Sequence, residues 1–83
     1  MKSRLSVSQV ISSITKNTRL ECQNSGFIEV IRKNWDDYTV EHVNAKTMFH
    51  YKIDDLILHL YKNDRHTIYT LITETKEEIE ITK

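Results

Sequence analysis

No proline interrupts this sequence, and glycine, cysteine and tryptophan each occur once. Each scarcity excludes something. A lone cysteine, Cys22, has no partner for an internal disulfide and cannot build a cysteine-rich zinc site, so a reducing, cytoplasmic setting is expected. A single glycine, Gly26, leaves no glycine-rich loop to cradle a phosphate, and no P-loop, dinucleotide fingerprint, GxSxG or HExxH motif is present. Long apolar runs are also missing. The longest unbroken aliphatic run is Leu56-Ile57-Leu58, far short of the roughly 20 residues of a membrane-spanning helix. The opening MKSRLSVSQVISS is basic but lacks the apolar centre of a secretory signal.

The chain of 83 residues has length for one small domain, residues 1–83, with one modest core. Twelve basic and twelve acidic side chains balance to zero net charge, which argues against a broad positive field of the kind that binds nucleic acid without sequence preference. The charge is unevenly spread. Lys2, Arg4, Lys16 and Arg19 stand in the first twenty residues without an acid, whereas the last ten carry Glu74, Glu77, Glu78 and Glu80 against Lys76 and Lys83. Abundant Ile, Lys, Asn and Thr is the bias of an AT-rich coding sequence and points to a low-GC bacterium, its phage or another mobile element.

Residues 6–16 read as a helix. Ser6 and Gln9 have capping-box spacing, and Val7, Val10, Ile11 and Ile14 recur at helical intervals to form one apolar stripe, with Asn17 as the stop. From residue 18 the period becomes two, and Asn24-Ser25-Gly26 marks a turn. Two similar stretches follow, FIEVIRKNWDDYTVEHV and LILHLYKNDRHTIYTLI, each an apolar run, Lys-Asn, a polar group and a second apolar run. In the first, a two-residue turn at Asn34-Trp35 would set Lys33 against Asp36 and Arg32 against Asp37, and a longer loop is the alternative. TMFHYKI, residues 47–53, alternates as a strand.

Residues 56–62 fit two structures. As a helix capped by Asp54, Leu56/Leu60 and Ile57/Tyr61 pair at i, i+4; as a strand, Leu56, Leu58 and Leu60 share a face and the chain turns at Asn63-Asp64. The C-terminal segment reads as a hairpin turning at Thr75-Lys76, with Ile72 facing Ile79 and a glutamate-rich last strand suited to a sheet edge. The expected fold class is α+β: an N-terminal amphipathic helix packed on an antiparallel, meander-like β-sheet, with a second short helix near 54–62 if that reading holds. Val7, Val10, Ile11, Ile14, Leu20, Ile28, Val30, Val40, Phe49, Tyr51, Ile53, Leu56, Leu58, Leu60, Leu71, Ile72 and Ile79 form the expected core.

Few residues point to chemistry. On the strand reading, His59 and His66 would be diagonal neighbours in a hairpin, but a metal needs a third ligand that the pattern does not supply. Asp36-Asp37 and Asp54-Asp55 read as turn and cap residues rather than paired acids converging on a substrate. No catalytic residue, metal or cofactor is therefore expected. The one unusual feature is Trp35, placed in a turn beside charges and an aromatic. Arg32, Trp35, Asp36, Asp37 and Tyr38 make a candidate protein contact, because Trp, Tyr and Arg dominate such surfaces; the competing reading folds Trp35 back over the core as a lid. The expectation is a non-catalytic binding module, a regulator or inhibitor acting through a protein partner and able to self-associate, with no membrane contact. The alternative is nucleic-acid binding through Lys2, Arg4, Lys16 and Arg19.

Overall fold

The computed structural model describes residues 3–83. The element order is β1 (Ser3–Ser6), α1 (Val7–Ser13), β2 (Arg19–Asn24), β3 (Phe27–Lys33), β4 (Tyr38–His42), β5 (Thr47–Tyr51), α2 (Ile53–Lys62), β6 (Ile68–Ile72) and β7 (Lys76–Thr82). One seven-stranded sheet runs in the order β1-β7-β6-β2-β3-β4-β5. The fold is α+β, as expected, but the sheet is mixed. β2 to β5 form an antiparallel meander, while β1 runs parallel to β7, with Leu5 beside Ile81.

Helix α1 starts where the capping box sets it. Ser6 Oγ accepts from the Gln9 N–H at 3.3 Å, and Gln9 Oε1 accepts from the Ser6 N–H at 2.9 Å. The helix stops at Ser13, three residues short of expectation. Ile14 is already extended (ψ 107°), and the Thr18 hydroxyl donates to the Ser13 carbonyl at 2.9 Å, ending the helix with side-chain bonds. Ile14 stays buried even so.

The core lies between both helices and one face of the sheet. Val7, Val10, Ile11, Ile14, Leu56 and Leu60 meet Leu20, Cys22, Ile31, Val40, Tyr69 and Ile79. The other face is free of helices. It buries Val30, Thr39 and Ile72 and carries Arg19, Glu21, Arg32 and Glu41 around them.

Several expectations need correction. The helix reading of residues 54–62 holds and the strand reading fails. In α2, Leu56 and Leu60 are fully buried one turn apart, whereas Leu58 turns outward at 56% exposure. The N-cap position is Lys52, whose side chain makes no capping bond, so Asp54 is no cap; Asp54 and Asp55 sit in the first turn, where the helix dipole favours acids. The second hairpin therefore does not exist, and β6 pairs with β2 and β7.

The Trp35 hairpin is two residues out of the expected register. Lys33 faces Tyr38 and Arg32 faces Thr39, leaving residues 34–37 as the loop. In the last hairpin Ile72 faces Lys76 and Tyr69 faces Ile79, an odd shift that puts Ile72 and Ile79 on opposite faces. The glutamate-rich β7 is not an edge, since β1 covers it. Phe49 and Ile53 are exposed rather than core, at 48% and 52%.

Candidate functional site

Two places stand out. The first is the end of the sheet where β2 begins and β3 ends. The Trp35 loop is closed by the Asn34 N–H donating to the Asp37 carbonyl at 2.9 Å and by Asn34 Nδ2 donating to the Asp37 carboxylate at 3.1 Å. Both strands enter it in register, so the loop is held from below. Trp35 itself is 98% exposed, which rules out the lid over the core. Asp36 pairs with Lys52 at 3.4 Å, and Asp37 with His50 at 3.3 Å. Tyr38 is not at the surface: it is 6% exposed, with the Lys33 ammonium 4.5 Å above its ring. It supports the loop from the core.

The two residue groups singled out in the sequence partly converge here. A groove beside Trp35 is lined by Ile14, Thr15, Lys16, Lys33 and Asn34. It continues past Asn17 and Thr18 to Arg19 and Arg32. Four cations from the α1–β2 segment and from strands β2 and β3 meet with no acid in that lining. Arg19 and Arg32 lie directly opposite on neighbouring strands, a repulsive placement relieved by Glu21 at 3.4 Å and Glu41 at 2.9 Å. Arg4 is not part of this group. It lies on the far edge strand and pairs with Glu80 at 3.6 Å. Lys2 falls outside the described residues.

The second place was not found in the sequence. Glu29, in the middle of β3, is 1% exposed, and its carboxylate lies between two imidazoles. His59 Nε2 on α2 hydrogen-bonds Glu29 Oε2 at 3.1 Å, and His42 Nε2 on β4 lies 3.1 Å from the same oxygen as an ion-pair partner. The His42 ring meets Phe49 edge-on at 5.4 Å, and the His59 ring tilts against Tyr51 at 5.2 Å. Glu29 faces Cys22 across the β2–β3 pair. Burial, and then the neighbouring carboxylates Glu29 and Glu21, push the Cys22 thiol far above its ordinary range, so no thiolate nucleophile forms there. Burial likewise pushes the Tyr69 phenol up to about 12. His66 lies in the loop before β6, away from His59, so the expected histidine pair does not form. Among the described residues no group of three or more His, Cys, Asp or Glu side chains is arranged to hold a metal ion. The only hint of this cluster in the sequence is that Glu29 occupies an apolar-facing position of β3.

In outline this is a small α+β domain: a mixed sheet, two helices on one face, and a tryptophan-tipped loop at one end. No helix among the described residues is long and apolar enough to cross a membrane. Compared with known protein families, curated proteins and solved structures, the chain matches none.

Proposed function

We propose that this protein is a non-catalytic binding module of the cytoplasm, a regulator or inhibitor that engages a protein partner through the Trp35 loop. The observation that carries this reading is the 98% exposure of Trp35 on a loop braced by hydrogen bonds. A tryptophan held away from its own core on a rigid loop keeps its full apolar area for another surface. The groove of Ile14, Lys16, Lys33 and Asn34, running to Arg19 and Arg32, would take an acidic segment of that partner, and Asp36 would meet a cation beside it.

Trp35 is the only tryptophan, so its emission reports on the loop directly. A partner retained from host extract by the wild type should be lost with Trp35→Ala and with Lys16→Glu, yet kept with Lys62→Ala. The purified partner should shift the Trp35 emission to the blue. At a hot spot the Trp35→Ala loss is about 2–4 kcal/mol, or roughly thirty- to a thousand-fold in Kd. Equal affinity of the Trp35→Ala variant for that partner would refute the reading.

The convergence of Lys16 and Arg19 with Arg32 and Lys33 favours one second reading, single-stranded nucleic acid stacked on Trp35. Asp36 and Asp37 beside the ring oppose it. Oligothymidylate that leaves Trp35 emission unchanged at low salt would remove it.

A further inference from the structure

We infer that the β5 edge is a self-pairing surface that joins two copies of this chain into one continuous sheet. This inference rests on β5 and is independent of the Trp35 loop.

The hydrogen-bond phase of the sheet fixes which backbone groups of β5 are free. At one end of the β3–β4 ladder the Asn34 N–H donates to the Asp37 carbonyl at 2.9 Å, and at the other the Val43 N–H donates to the Ile28 carbonyl at 3.0 Å. Hydrogen-bonded and non-hydrogen-bonded pairs alternate along an antiparallel ladder, so Val30/Glu41 and Arg32/Thr39 bond to each other in between. Tyr38, Val40 and His42 therefore direct their backbone groups the other way, to their partners Tyr51, Phe49 and Thr47 on β5. That leaves the N–H and C=O of Met48 and His50 pointing out of the sheet's open edge.

The side chains do nothing to guard that edge. Edge strands are ordinarily protected by lysine, glutamate, proline, a bulge or brevity. The opposite edge, β1, is four residues long and carries Arg4. β5 reads Thr-Met-Phe-His-Tyr, with no Lys, Arg, Asp or Glu, and Met48 and Phe49 are 54% and 48% exposed.

A second copy fits in one register. Antiparallel pairing centred on Phe49 sets Met48 opposite the other copy's His50 and the reverse, so the free groups of each strand bond reciprocally. Phe49 then meets its own copy in the close, non-hydrogen-bonded position, with Cα atoms about 4.5 Å apart. Thr47 meets Tyr51. No charged pair opposes another within the strand. Just beyond the strand Lys46 falls opposite the other copy's Lys52 at each end, an exposed like-charge pair that Asp36 relieves by holding Lys52 at 3.4 Å. The same residue is self-complementary about a two-fold axis, which is what a closed dimer requires.

Sedimentation velocity and light scattering over a concentration series test this. The wild type should move from one chain to two. Met48→Pro removes an outward N–H without touching the β4–β5 bonds, and Phe49→Lys places two cations at the centre; both should remain single chains with unchanged far-UV circular dichroism. Phe49→Cys should form an interchain disulfide under mild oxidation, whereas Ser25→Cys on the distant β2–β3 turn should not. A wild type that stays a single chain at roughly millimolar concentration overturns the inference. So does a dimer that survives Met48→Pro and Phe49→Lys, or one lost instead with Trp35→Ala, which would place the contact at the loop. Capture of a foreign extended segment at β5 by a single-chain wild type would overturn it as well.

Discussion

Glu29 and His59 stand thirty positions apart in sequence, and the imidazole Nε2–H donates to the buried carboxylate at 3.1 Å, tying helix α2 to the centre of the sheet. His42 holds the same oxygen from the neighbouring strand. A carboxylate this buried depends on its donors, because water does not replace them.

Glu29→Ala is expected to lower stability by roughly 2–4 kcal/mol, since it empties the acceptor of both imidazoles and leaves a cavity. His59→Ala should cost less, as His42 continues to hold the carboxylate. Urea denaturation of both single variants and the double variant checks this. A double-mutant cycle with no coupling between positions 29 and 59 would show that the pair does not stabilise the fold.

Leu60→Ala should cost about 2–5 kcal/mol and Leu58→Ala within about 0.5 kcal/mol, because α2 buries the first and exposes the second. A strand in this segment would make the two losses similar. Thermal unfolding of the two variants side by side separates the cases.

Ser6→Ala removes the hydroxyl that caps α1 and should destabilise by about 1 kcal/mol, and Ser6→Asp should restore most of that. Amide exchange at Gln9 should quicken in the alanine variant.

Alkaline pH should destabilise this protein through Cys22 and Tyr69. Cys22 and Tyr69 both have proton affinities raised by burial, Tyr69 to about 12. Below the ordinary thiol and phenol ranges both groups are neutral in either state and contribute nothing. Above those ranges the unfolded chain loses the protons first, so stability falls as pH rises from about 9 towards 12. Native Cys22 should react with a thiol reagent only as fast as the protein opens, and at once in denaturant. Rapid stoichiometric labelling of the folded protein at pH 8 would contradict its burial.

Local signals in the sequence were legible and long-range ones were not. The capping box of Ser6 and Gln9 marks the start of α1, and Val7, Val10 and Ile11 lie in the core as the period of 3.6 requires, while Ile14 reaches it from extended backbone past the helix end. Helix and strand were both open for residues 56–62 because Leu56 and Leu60 suit either period; only packing against α1 and the sheet decides. Charge pairing between directly opposite residues predicts a Trp35 loop two residues tighter than the one that forms. In the fold Arg32 reaches Glu41 diagonally instead, and the loop takes up Trp35, Asp36 and Asp37. The partners of Glu29 could not be seen at all, since nothing local links positions 29, 42 and 59.

The parallel pairing of β1 with β7 has a consequence in time. Among the described residues strand β1 pairs with β7 alone, through Ser3 beside Ile79 to Ser6 beside Thr82. Of these seven strands β1 is therefore made before the others, yet it can be seated only once β7 exists. Helix α1, joined directly to it, must hold its apolar stripe against an unfinished sheet until residues 79–82 emerge. The meander of β2 to β5, by contrast, can close as it is made.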